Sequence, residues 1–174
     1  MEKLDQPINS FKVDLQYSLE QRENELFDNF YFRIFPHLEC VELVTEIQLQ
    51  MQGVDKKLVF KSGKHILIDE KKRRKDYGDI LLEEYSNFEQ KKKGWLSGLK
   101  ITDYIIYAVM PSKKVFVLPF LILQLVWLKN YVKFLEIFGR QFAENEGYRT
   151  SNIAIPTEIL LELLKKEMEH KISA

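Results

Sequence analysis

The sequence has a single cysteine, Cys40, so it can form neither an intrachain disulfide nor a thiolate metal cage. A reducing setting is the one this predicts. Charge of one sign is not in excess: Lys+Arg is 26 and Asp+Glu is 26. No bulk field therefore draws the chain to nucleic acid, and any such attraction must come from local clusters. Long apolar runs are missing too. The longest, Val115 to Leu128, contains Pro119 and Gln124 and falls short of the ~18 apolar residues of a membrane helix, so no membrane partner is predicted. The start, MEKLDQPINS, lacks the apolar centre of a signal peptide, which predicts a cytoplasmic protein. His37, His65 and His170 are scattered without zinc spacing. No GxGxxG, P-loop or GxSxG is found, so nucleotide-cofactor and serine-hydrolase chemistry have no support.

What remains is a chain of 174 residues, 45% hydrophobic and 30% charged, suited to one globular domain over residues 1–174. No repeat or low-complexity linker divides it. A first helix is predicted from Ser18, with Gln21 at the capping-box position and Leu15, Leu19, Leu26, Phe27, Phe30 and Ile34 on one face. Pro36 limits it. The stretch from His37 to Gln50 fits neither the helical nor the strand period. Val54–Phe60 and His65–Lys71 read as a hairpin around Lys61-Ser62-Gly63-Lys64. Asp79–Tyr85 reads as a third strand, Gly94–Gly98 as a turn or short helix, and Thr102–Met110 and Val115–Leu118 as further strands. From Leu121 the period is helical, with Leu121, Leu125, Leu128, Val132 and Leu135 on one face and Trp127, Tyr131, Phe134 and Phe138 on a second. Thr157 caps a last helix carrying Leu160, Leu161, Leu164 and Met168. The order predicts an α/β protein with a central mixed sheet flanked by helices. Its core spans about residues 18–118 and its C-terminal helical part about 120–174.

One stretch, QGVDKKLVFKSGKHILIDEKKRR, asks for more than strand alternation. The apolar run Ile66-Leu67-Ile68 ends in Asp69-Glu70 and then a burst of cations, with Asp55 one hairpin upstream. Side chains two apart on a strand share a face, so Asp69 goes with Lys71, and Glu70 with Lys72. Hairpin pairing can bring Asp55 beside Asp69. Two carboxylates converging at a strand end make a hard oxygen site for Mg²⁺ or Mn²⁺, and a lysine beside them can hold a phosphate or orient an attacking water. Phosphodiester hydrolysis uses that trio. Glu23, placed on the apolar face of the first helix, is costly there unless paired or bound to metal and is a further candidate ligand, as is Glu84 in the third strand. Gln50 and Gln52 are weaker candidates for orienting water or phosphate. Lys72, Arg73 and Arg74 form a candidate phosphate-binding rim.

These residues resemble the PD-(D/E)XK nuclease superfamily. Asp55 matches the first acid, and Asp69-Glu70-Lys71, preceded by three apolar residues, matches the second motif. The segments Gln50–Asp55, Ile68–Lys71, Glu83–Ser86, Gly94–Leu96 and Thr102–Tyr104 are similar to mostly uncharacterised phage and bacterial members. Val54 stands where the family usually has proline. The resemblance implies a restriction-endonuclease-like core of order α-β-β-β-α-β. It implies a Mg- or Mn-dependent nuclease with DNA as partner, Asp55, Asp69 and Lys71 as catalytic residues, and Asp55, Asp69, Glu70, Glu23 and Glu84 as the pool of metal ligands. The shifted register Glu70-Lys71-Lys72 also satisfies the motif. A homodimer is left open. The alternative is a nuclease-like fold without chemistry that binds DNA or a protein. On plainer readings, the run Lys71–Lys75 is a solvated loop paired with Asp69, Glu70 and Asp76; Lys91-Lys92-Lys93 is an exposed loop; Trp95 is core or lid packing; and Glu23 pairs with Arg22 or Arg33.

Overall fold

The computed structural model describes residues 25–172. Helix α1 (Glu25–Ile34) is followed by β1 (Leu38–Leu43), the short α2 (Ile47–Met51), β2 (Lys56–Phe60), β3 (His65–Arg73), β4 (Asp79–Asn87) and β5 (Lys92–Lys93). Then come β6 (Tyr104–Val109), β7 (Lys114–Pro119), α3 (Phe120–Phe138), β8 (Gln141–Asn145), β9 (Tyr148–Pro156) and α4 (Thr157–Ile172). The protein is α/β with two sheets. The larger is mixed and runs β1-β2-β3-β6-β7, and the smaller runs β5-β4-β9-β8.

In the mixed sheet β2 and β3 form the expected hairpin, its tight end closed by Gly63 at φ 78°, a left-handed conformation that suits glycine. β3 then pairs in parallel with β6, placing Asp69 opposite Ile105 and Lys71 opposite Tyr107. Thr102 and Asp103 fasten this junction. The Thr102 hydroxyl donates to the Leu67 carbonyl at 3.0 Å, and the Asp103 carboxylate accepts from the Leu67 N–H at 2.7 Å.

Alternation along β3 sends its residues to two different environments. Ile68 packs with Tyr31 of α1, Leu38, Leu58, Ile106 and Ala108. The opposite face of the sheet, through Ile105, Tyr107 and Val109, joins the larger core made with β4, β9, α3 and α4. Asp69 and Lys71 therefore look toward the second sheet, and Glu70 and Lys72 toward α1.

Three expectations are revised. The segment Asp79–Asn87 is a strand, but of the second sheet. The α-β-β-β-α-β order does not hold between β3 and its parallel neighbour: the crossover is made by β4, β5 and the turn at Gly94–Gly98 in place of a helix. The C-terminal part is not wholly helical, because β8 and β9 form a hairpin that pairs with β4. On α1, among the residues whose burial is described, Tyr31 is buried and Ile34 is 44% exposed. On α3 the aromatic stripe with Trp127 and Phe134 meets the core, and the other stripe leaves Leu121, Leu128 and Val132 exposed. No helix among the described residues is long and apolar enough to cross a membrane.

Candidate active site

Asp55 sits just before β2. The turn leading to it contains Gly53 at φ 81°, with the Lys100 side chain so close above it that a Cβ would lie 2.7 Å from that chain. The left-handed backbone there favours glycine, whereas the flexible end of Lys100 can swing aside to make room. The Asp55 N–H donates to the Ile68 carbonyl at 2.8 Å, and its carboxylate accepts from the Glu70 N–H at 2.9 Å. These two bonds continue the hairpin ladder past Lys56 and set Asp55 beside Asp69.

Asp69 is 2% exposed. Its carboxyl is within hydrogen-bonding reach of Asp55 and is paired with the Lys71 ammonium. Burial, reinforced by the neighbouring Asp55 charge and only partly offset by Lys71, raises its pKa to about 6. This is the behaviour of two carboxylates pressed into one poorly solvated place. For Lys71, burial disfavours the ammonium, but Asp69, Asp55 and Glu83 outweigh it and hold the pKa above the ordinary lysine value. Lys71 is therefore a cation throughout the physiological range. Its Nζ lies 5.8 Å from the centre of the Trp95 ring, a cation–π arrangement. Lys71, Arg73, Glu83 and Trp95 line a cleft of about 340 Å³ between the sheets.

Glu83 is the residue the sequence reading passed over. It lies on the β4 face that looks back at β3, and its carboxylate accepts from the Trp95 N–H at 3.0 Å. Burial raises its pKa, with the Trp95 amide, Lys71 and Lys100 opposing. The expected neighbour, Glu84, points the other way. It is held by the Arg140 guanidinium at 2.7 and 2.8 Å, by the Ser151 hydroxyl at 2.8 Å and by the Tyr131 hydroxyl. Burial works against its ionisation, yet these donors keep the pKa at about 2. Glu84 is thus the anchor of a buried network on the α3 side. The signal was available in DILLEEY: Ile80 and Leu82 are fully buried, and Glu84 continues their face while Glu83 takes the other.

Glu70 is likewise corrected. It lies on the α1 face, 3% exposed, between Lys56 and Lys72 at 3.2 Å each, and accepts from the Tyr31 hydroxyl at 2.5 Å. It does not face Asp55 and Asp69, so the shifted register Glu70/Lys72 does not build this site. The expected phosphate rim is mostly occupied by internal partners. Lys72 is engaged by Glu70. Arg73 reaches Asp79 at 2.8 Å and the Tyr107 hydroxyl at 3.3 Å. Gln50 donates to the Val44 carbonyl at 2.8 Å. Arg74 is exposed beyond them. Glu23 lies outside the described residues.

Among the described residues no three His, Cys, Asp or Glu side chains group as a metal site. The Asp55–Asp69 pair is nevertheless suited to Mg²⁺, which takes one or two carboxylates and keeps several waters. No family model, curated protein or solved structure matches this chain.

Proposed function

We propose that the chain is a Mg²⁺- or Mn²⁺-dependent nuclease that hydrolyses DNA phosphodiester bonds, with a restriction-endonuclease-like core whose crossover helix is replaced by β4 and β5. The observation that carries this reading is the convergence of Asp55, Asp69 and Lys71 on one face of the β2–β3 hairpin, with the two carboxylates in contact. Asp55 and Asp69 would hold the ion, which supplies neutralisation of the phosphate charge and a more acidic water. Lys71, a permanent cation beside them, stabilises the charge that develops on the phosphate oxygens in the transition state. Glu83 is a positioning residue. It opposes Lys71 across the cleft and fixes the Trp95 backbone, and so sets where the ammonium and the indole stand. Arg73, tied to Asp79 and Tyr107, borders the cleft without a free fork to offer a phosphate.

Lys71→Ala separates this reading from that of a non-catalytic binding module. One lysine contributes little to salt-dependent backbone binding, whereas a donor at the reacting phosphate contributes about 100-fold or more to rate. The expected result is DNA binding within about twofold of wild type and cleavage reduced at least ~100-fold. Cleavage unchanged in a folded Lys71→Ala protein contradicts the assignment.

A further inference from the structure

The cations expected to bind a phosphate backbone next to the site are largely tied to internal acids. Exposed cations without an acidic partner among the described residues also lie on the edge of the second sheet. β5 is an edge strand there, and Lys91, Lys92 and Lys93 are all exposed. None of the three makes an ion pair with a described residue. Beside them lie three rings. Tyr85 and Phe88 meet edge to face at 5.8 Å, and Phe88 and Phe142 at 5.0 Å. Lys91 Nζ lies 4.0 Å from the centre of Phe88 and 5.3 Å from that of Tyr85. Arg149 lies 4.7 Å from the centre of Phe142. Of the acids nearby, Glu89 binds the Arg149 guanidinium at 2.7 Å and Glu84 binds Arg140, while Glu144 is exposed opposite Arg149.

Here Phe142 is 38% exposed, and Tyr85 and Phe88 are half-buried. Rings that remain accessible beside lysines without acidic partners fit a polymer with flat apolar faces and a regular negative charge. Unpaired bases offer those faces, and duplex DNA hides them in its own stack. We infer that Tyr85, Phe88 and Phe142, with Lys91, Lys92 and Lys93, form a binding surface for single-stranded DNA, the bases stacking on the rings and the phosphates following the lysines. The inference rests on the nuclease reading for the identity of the ligand. The surface lies on the Glu84 face of the second sheet and is separate from the Lys71–Trp95 cleft: Phe142 pairs with Ser151, whose hydroxyl holds Glu84, and Arg140, bound to Glu84, lies 5.8 Å from the centre of Phe88.

The test is fluorescence anisotropy of the full chain with a labelled oligothymidylate and with a duplex of equal length, in EDTA so that no cleavage intervenes. Wild type is expected to bind the single strand more tightly. The double variant Lys92→Ala/Lys93→Ala, altered only at exposed positions, should lower the log–log salt slope by about 1.4, at ~0.7 for each phosphate no longer neutralised. Phe142→Ala should weaken single-strand binding roughly tenfold with the slope unchanged. Single-strand affinity within twofold of wild type in both variants overturns the inference, as does tighter binding of the duplex. The nuclease reading is judged separately by cleavage in Mg²⁺. Cleavage with variant-insensitive single-strand binding overturns the surface alone. Variant-sensitive binding without cleavage overturns the nuclease reading alone.

Discussion

Asp69 and Glu70 are neighbours in sequence and opposites in energetics. Asp69 is buried against another carboxylate, and its pKa is raised to about 6. A carboxyl whose folded pKa lies above its unfolded value favours folding fully below pH ~4 and loses that contribution as pH rises through about 6. The apo protein is therefore expected to lose up to about 3 kcal/mol between pH 4 and 7 at this residue. Asp69→Asn should abolish that loss and be at least as stable as wild type at pH 7, measured by denaturant unfolding in EDTA. Glu70 instead compensates two lysines, Lys56 and Lys72, whose side chains are 3% and 8% exposed. Glu70→Gln leaves that positive charge buried and is expected to cost about 3–5 kcal/mol in the same experiment. Had the register been Glu70/Lys72, the two effects would be exchanged. The sequence carried this distinction, because period-two alternation puts Asp69 with Lys71. It did not carry Tyr31 or Lys56, which decide the character of the other face from distant positions in the chain.

The hairpin β2–β3 was legible because turn chemistry and alternation agree there. The strand β4 was legible as a strand and illegible in its sheet, since nothing local in DILLEEY says whether its partner is β3 or the distant β9. That long-range choice also misdirected the selection of Glu84, whose counter-ion Arg140 lies 56 positions on. Glu84→Gln is expected to lower stability by about 2–4 kcal/mol by loosening a buried charged network. Binding of Mg²⁺, followed by calorimetry, should be unchanged. The β8–β9 hairpin was missed because its apolar run, Ile153 to Ile155, is short and buried, with no clear period. Around the cleft, the turn after β5 depends on Gly94, where a Cβ would lie 2.4 Å from the Glu83 carbonyl oxygen. Gly94→Ala must push the turn off β4. It is expected to cost about 1–3 kcal/mol and to change Trp95 fluorescence as the indole leaves Lys71.

At the scale of the molecule, equal numbers of acids and cations mean that function rests on local arrangement: a buried Asp55–Asp69 pair held against Lys71, and a run of exposed lysines on the edge of the second sheet. A divalent ion that binds only the folded chain stabilises it by mass action, and here it also relieves the Asp55–Asp69 repulsion. Saturating Mg²⁺ or Mn²⁺ is therefore expected to raise the melting temperature of wild type by several degrees at pH ~7.5, with the rise fading below pH ~6 as Asp69 takes up its proton. The central claim is tested most directly by incubating wild type and Asp69→Asn with plasmid and single-stranded DNA, each with Mg²⁺, Mn²⁺ or EDTA, and following the products on a gel. The expected result is cleavage by wild type in metal alone and none by Asp69→Asn, which remains folded. Cleavage in EDTA, cleavage by Asp69→Asn, or intact DNA in every wild-type lane contradicts the account.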